Sequence, residues 1–256
     1  MRIAVFADIH GNLPALNAAL ADMDAAGGFD LYWCLGDLAA LGGQPRECVQ
    51  RLLQLREAQG EDKVKIIGGN TDRYLVTGER MPAKPAENAA EFAAQRAGSQ
   101  QLNTVFAWNL QQLDWTDYDL LRQIVGAELR QDVPGYGRVI GFHAVPGDDE
   151  AMSLAPDSAD EEAADALLDR QGRLALCGHT HLAMDRAVGA WRVINPGSVG
   201  LSYGNPGQAE WALLEWQAGA LTVEFRRVPY AVAETLRAWD ALGYPENDFI
   251  APRLRG

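Results

Sequence analysis

The chain has 256 residues, 48% of them hydrophobic, which is enough for one large core and fits a single domain over 1–256. Its 35 acidic residues outnumber 22 basic ones, and the formal net charge of −13 repels bulk nucleic acid and anionic membranes, so neither is expected as a partner. An anionic substrate would need that field reversed locally, as a bound cation would do.

In chain order, a strand is predicted over 2–7 and a helix over Leu13–Ala26, with apolar residues at Leu16, Leu20 and Met23. A strand over Leu31–Leu35 runs into Gly36-Asp37. A helix over Pro45–Gln59 follows, then a strand over 63–67 that runs into Gly68-Gly69-Asn70. This alternation is that of a parallel sheet with crossover helices, whose ligands gather at the C-terminal strand ends. The middle is helical: a long Ala- and Gln-rich segment over 86–113, a short helix over 117–124, and a local boundary at 82–85. Its aromatics Phe92, Phe106, Trp108 and Trp115 are expected to form the core of a helical pair. A strand over 138–142 leads into His143, a helix is expected over 158–169, and a strand over 173–177 leads into Gly178-His179-Thr180-His181. Two hairpins follow, Met184–Val188 with 191–194 and 209–216 with 220–228, then a helix over 231–242 and a tail expected to drape over the surface. Trp33, Trp191, Trp211 and Trp216 fall in strands and are read as core. The apolar run before Asp8 is too short for a signal-peptide core, and no stretch approaches the roughly 20 apolar residues of a spanning helix. Cys34, Cys48 and Cys177 are isolated. The expectation is a cytoplasmic protein with reduced thiols.

All four histidines, His10, His143, His179 and His181, follow directly on a predicted strand. Asp8, Asp37 and Asn70 do the same. Taken singly, Asp37 reads as a helix cap and Asn70 as a turn residue. Together the seven make a mixed nitrogen and oxygen ligand set, too large for one tetrahedral ion and suited to two adjacent ones. Such a pair serves hydrolysis of phosphate esters or amides.

The blocks Asp8-Ile9-His10, Gly36-Asp37, Gly69-Asn70-Thr71-Asp72, His143 and Gly178-His179-Thr180-His181, extended by Asn195-Pro196-Gly197-Ser198-Val199, resemble those of calcineurin-like metallophosphoesterases. The form Asp-Ile-His-Gly-Asn-Leu-Pro-Ala-Leu is similar to the bacterial and archaeal phosphodiesterase branch. The resemblance implies an α/β fold of two facing β-sheets flanked by helices, in four layers (α/β/β/α), with a helical insert about 86–124. It implies that Asp8, His10 and His181 hold one divalent ion, that Asn70, His143 and His179 hold a second, and that Asp37 bridges them. The ions would be manganese foremost, with iron, zinc, nickel or cobalt accepted by the same ligands. A hydroxide between the two ions would attack a small phosphoester substrate in line with its leaving group. Asp37, Asn70 and Asp72 are the candidate catalytic residues. Asn12, Thr71 and Arg73 are the candidate substrate contacts, with Asn12 alternatively capping the helix from Leu13.

One departure from the family is informative. Thr71 stands where many members carry a histidine that protonates the leaving oxygen, and a hydroxyl is a very poor acid at neutral pH. Asp72, which would orient that histidine, is left to accept a hydrogen bond from a ligand histidine or from Arg73. The acidic run Asp148-Asp149-Glu150 is expected to be a solvated loop. Three functions stand: a phosphodiesterase, a phosphomonoesterase (protein phosphatase included), and a binding scaffold that has lost catalysis. Thr71 weighs against the second, and the seven filled ligand positions weigh against the third.

Overall fold

The computed structural model describes residues 1–245 and 247–256. The first part of the chain forms β1 (Arg2–Phe6), α1 (Leu13–Ala26), β2 (Leu31–Leu35), α2 (Pro45–Gln59), β3 (Val64–Ile67) and α3 (Asn70–Thr77). The insert is α4 (Ala89–Gln112) and α5 (Trp115–Ile124). Then come β4 (Leu129–Val133), β5 (Gly137–Gly141), α6 (Asp160–Asp165), β6 (Leu174–Leu176), β7 (Met184–Val188) and β8 (Trp191–Asn195). The chain closes with β9 (Gln208–Gln217), β10 (Ala220–Pro229), α7 (Val232–Ala241) and α8 (Asn247–Arg255).

Among the described residues the strands form two five-stranded sheets, in the orders β10-β9-β1-β2-β3 and β4-β5-β6-β8-β7. Each contains three parallel strands, β1, β2 and β3 at one side of the first sheet and β5, β6 and β8 in the middle of the second. The register sets Phe6 beside Cys34 and Leu35 beside Ile67, so the strand ends are level and deliver Asp8, Asp37 and Asn70 to one edge. In the second sheet Gly141 pairs with Leu176, and Leu176 with Ile194, which levels the ends that run into His143 and His179.

Alternation along the strands builds the layers. Ile3, Val5, Trp33 and Leu35 face Val139, Leu174, Leu176 and Ile194 of the second sheet. Ala4, Phe6 and Cys34 point the other way, onto Leu16 and Leu20 of α1 and Val49 and Leu52 of α2. The outer side of the second sheet carries Ile140, Ala175 and Val193 under Ala163 of α6 and Leu167. The result is the four-layer metallophosphoesterase fold. Each fully buried leucine or isoleucine contributes about 1.5–3 kcal/mol to holding the sheets together. Among the described residues, no helix is long and apolar enough to cross a membrane.

Four expectations need correction. First, no strand is predicted over 129–133, where β4 runs: it is an edge strand whose alternate residues are exposed or half-buried, so it lacks an apolar signature. Second, Asn70 opens α3 rather than closing a simple turn, and Gly78 at φ +78° ends that helix. Third, the tail is not draped. It forms α8, whose Ile250, Ala251 and Leu254 pack on Leu201, Leu236 and Trp239, with Pro252 inside the helix. Fourth, the insert's aromatics are split: Phe106 is buried, whereas Phe92 and Trp115 are 60% and 69% exposed. Trp33, Trp211 and Trp216 are buried as expected, while Trp191 is half-buried against the cluster over the second sheet.

Candidate metal centre

The turn after β1 is tightly specified. Asp8 and His10 have φ of +56° and +48°, Asp37 has +56°, and His179 and His181 have +67° and +57°. Among the described residues these are five of seven non-glycine residues in the left-handed region, where asparagine, aspartate and histidine are the side chains best tolerated. The segment that carries His179 and His181 is therefore kinked rather than extended. Gly69 lies against Asp37 and His143, and a Cβ there would overlap the Asp37 carboxylate, so only glycine lets Asn70 approach so closely. The two sheets meet here. The His179 N–H donates to Asp8 Oδ2 across the sheets (3.0 Å), and within the second sheet the Gly178 N–H donates to the His143 carbonyl (2.7 Å).

The side chains converge in two groups. In one, His10 Nε2 and His181 Nε2 are 2.9 Å apart, with Asp8 Oδ1 3.6 Å from the latter. In the other, Asn70 Oδ1 lies 3.1 Å from His143 Nε2 and 3.2 Å from His179 Nδ1. Asp37 Oδ2 stands between the groups, 3.5 Å from both His10 Nε2 and His143 Nε2. Donor atoms of Asp8, His10, Asp37 and His181 all lie within 4.8 Å of one another.

Each histidine is fixed by a backbone carbonyl on its far side: His10 Nδ1 by Ala40 (3.1 Å), His143 Nδ1 by Leu35 (2.7 Å), His179 Nε2 by Glu150 (3.1 Å) and His181 Nδ1 by Leu201 (2.8 Å). A carbonyl only accepts, so those ring nitrogens carry the proton. Burial lowers the pKa of both His10 and His181, which keeps the two rings neutral. Their Nε2 atoms then face each other with bare lone pairs and no proton to share. Such a contact is repulsive unless a cation lies between the donors, and the chemistry of the set (imidazole, carboxylate and carboxamide) fits a divalent ion.

Charge is balanced within the set. Burial disfavours ionised Asp37, but His143, His10 and the Thr71 N–H (2.9 Å) outweigh it and hold the carboxyl below its usual range. Burial likewise opposes the charge of His143, yet Asp37 and Asp8 prevail and push it up to about 10. Burial and the neighbouring His143 take His179 down to about 4. Asp8 is raised, chiefly by burial.

The other sequence candidates fall differently. Asn12 is fully buried: its Oδ1 accepts the Ala15 N–H as the cap of α1, and its Nδ2 donates to the Gly200 carbonyl and Tyr230 Oη. That carboxamide has no atom left for substrate. Asp72 bonds neither a ligand histidine nor Arg73. It accepts the N–H groups of Leu38, Ala39 and Gly69, locking the turns that hold Asp37 and Asn70. In this structure its carboxylate serves to position those turns. Arg73 is committed to Asp149, Glu150 and Glu79 and lines a separate cleft of about 360 Å³ with Gly68 and His143. The acidic run is thus not a solvated loop: two of its carboxylates grip Arg73, and the Glu150 carbonyl orients His179. Thr71 Oγ1 is buried without a partner among the described residues, and Thr71 lines a cavity of about 640 Å³ with His10, Asp37, Asn70, His179 and His181.

Two features escaped the sequence. Asn195 donates to the Gly178 carbonyl (2.6 Å) and Thr180 Oγ1 (3.0 Å), while Ser198 Oγ donates to the Asp8 carbonyl (2.7 Å). The Asn-Pro-Gly-Ser-Val block therefore buckles the two turns together, a role that its place after the Gly178–His181 motif only hinted at. Tyr203 stacks on His181, with ring centroids 4.7 Å apart, and also lines the cavity.

A family model of the calcineurin-like phosphoesterase superfamily domain matches residues 1–219. The chain belongs to that superfamily. A metallophosphoesterase from Sphaerobacter thermophilus, known from its crystal structure, is 25% identical to this superfamily member, with a TM-score of 0.69 over 100% of this chain and 98% of that one. A hypothetical protein from Pyrococcus horikoshii OT3, at 23% identity, shares the fold with a TM-score of 0.78 over 99% of this chain and 97% of its own. An uncharacterized protein of Methanocaldococcus jannaschii is 47% identical over 75 residues, 28% of this chain. The calcineurin-like chain thus spans 30% of the length of that curated relative.

Proposed function

We propose that the chain is a dinuclear, divalent-metal-dependent phosphodiesterase acting on a small phosphodiester. The observation that carries the reading is the placement of Asp37 Oδ2 at 3.5 Å from one histidine of each donor group, the position of a bridging carboxylate. Asp8, His10 and His181 would hold one ion, and Asn70, His143 and His179 the other. Two such ions lower the pKa of water and neutralise charge that builds on phosphoryl oxygens.

The chain's own residues supply position and polarity. The backbone carbonyls behind the four imidazoles direct the lone pair of each neutral ring toward the donor set, and His143 would release its second proton on binding an ion. Asp72 holds the backbone of both central turns. The Thr71 hydroxyl has a proton free to donate to a phosphoryl oxygen at the cavity wall. All four histidines of the chain are in the ligand set, so no imidazole remains to protonate a leaving oxygen. General-acid help is typically worth about 10²–10⁴-fold, so esters with acidic leaving groups are favoured. A monoester also brings one more negative charge to a chain at −13.

The test is kcat/KM for p-nitrophenyl phosphate against ethyl p-nitrophenyl phosphate, which share a leaving group, with Mn²⁺ supplied. The diester is expected to be the better substrate. A clear preference for the monoester would replace this reading with a phosphomonoesterase.

A further inference from the structure

The cavity over the ligand cluster has a wall of different chemistry from its floor. That wall is built by 80–84 and by α4, and it holds Arg80 and Lys84 beside Leu102, Asn103 and Phe106. Arg80 is half-buried and rigidly held. Its Nε donates to Asn103 Oδ1 (2.9 Å), its Nη1 donates to the carbonyls of Glu79 (2.6 Å) and Tyr74 (3.3 Å), and its guanidinium lies 4.5 Å from the centre of the Phe106 ring. Among the described residues, neither Nη2 nor any other atom of this guanidinium meets a carboxylate. In this chain acids outnumber bases 35 to 22, and Arg46, Arg73, Arg122, Arg138, Arg186 and Arg192 all pair with one.

Fixing an arginine costs side-chain entropy, and an ion pair would ordinarily offset it. Here neutral acceptors and a ring hold three of the five N–H groups, and the two on Nη2 are left over. Burial pulls the pKa of Arg80 down, with no carboxylate to oppose it. A charged donor held this way in a metal-site cavity is suited to a carboxylate or phosphoryl oxygen. Lys84, exposed on the same wall, adds a second positive charge, while Leu102 and Phe106 offer apolar surface to the body that carries the anion.

We infer that Arg80 is a specificity residue that binds a second anionic group, a carboxylate or a further phosphoryl, on the body of the phosphoester substrate. This rests on the reading of the ligand cluster as a phosphoesterase centre. A simple dialkyl phosphodiester would then be a poor substrate, and the natural one would carry charge away from the scissile bond.

The experiment uses the full chain loaded with Mn²⁺ and three p-nitrophenyl alkyl phosphates whose alkyl arm ends in a methyl, a carboxylate or a phosphonate. The wild type is expected to favour the anionic arms through KM, and the better of the two names the source. Arg80→Met should lower the ratio of kcat/KM for anionic over methyl-ended ester by about 10–100-fold, the range of one charge-assisted hydrogen bond, and Arg80→Lys should recover part of it. A ratio within about twofold of wild type in Arg80→Met, or a wild type that favours the methyl-ended ester, would overturn the inference. Hydrolysis of none of the three by the wild type would instead sink the phosphoesterase reading. Calorimetric titration with tripolyphosphate then decides the role of Arg80: weaker binding by Arg80→Met upholds it, and equal binding overturns it.

Discussion

At the scale of residues, the site is a problem in directing lone pairs. His10 Nε2 and His181 Nε2 come within 2.9 Å because Ala40 and Leu201 each take the proton on the far side of the ring. Kinked backbone at five candidate ligand positions stores strain of about 1–3 kcal/mol each at most, and the Asn195 and Ser198 buckle holds the turns of Asp8, His179 and His181. Ser198→Ala is expected to cost about 1–3 kcal/mol, because the Asp8 carbonyl loses a donor and the Leu201 N–H an acceptor. Urea denaturation reads that cost, and an unchanged midpoint would contradict the buckle. Thr71 makes the opposite case. Its hydroxyl is buried and unpartnered among the described residues, so Thr71→Val should melt no lower than wild type. It should nonetheless lose about tenfold in kcat/KM, the order of one hydrogen bond to substrate. Lower stability with full activity would assign that hydroxyl to the fold instead.

At the scale of elements, α1 is tied to the β9–β10 hairpin through Asp22. That carboxylate accepts from Arg226 Nη2 (2.8 Å) and Trp211 Nε1 (3.0 Å). The hydrogen bond from Arg226, more than the opposing burial, holds the Asp22 carboxyl below the usual range. A lowered folded pKa means stability that is present above the unfolded value of about 3.9 and lost as pH falls through the folded one. Asp22→Asn should therefore cost about 1 kcal/mol at neutral pH, and the gap to wild type should close below about pH 4. A gap that stays constant with pH would contradict the charge pairing. Ile250 of α8 is 2% exposed, and Ile250→Ala should cost about 2–5 kcal/mol in the same assay. A loss under about 1 kcal/mol would mean that α8 is not part of the core. These elements differ in how plainly the sequence announces them. α1 and α2 show apolar periodicity, a proline in the first turn, and Gly27 and Gly60 at their ends, all of it local. α8 has a proline inside, and its partners Leu201, Leu236, Trp239 and Val105 come from separate parts of the chain, so its own pattern does not declare it. β4 is an edge strand with Arg130 and Asp132 on it, and α3 starts on polar residues whose partners are the turn after β2.

At the scale of the whole molecule, a strongly acidic chain gathers imidazoles and two cationic side chains around one cavity. The seven candidate ligands, from Asp8 to His181, stood out because they follow closely on strands, and the family's order of blocks repeats the pattern. What the sequence did not disclose depends on approach in space: which carbonyl orients each ring, that Asn12 and Arg73 are spent on the fold, and that Arg80 reaches the same cavity as His10. The interleaving was hidden too, since β9 pairs with β1 across the whole chain. The central claim is the bridged pair of ions, and elemental analysis tests it most directly. Protein saturated with Mn²⁺ and freed of excess by gel filtration should hold two ions per chain; one ion or none would contradict it.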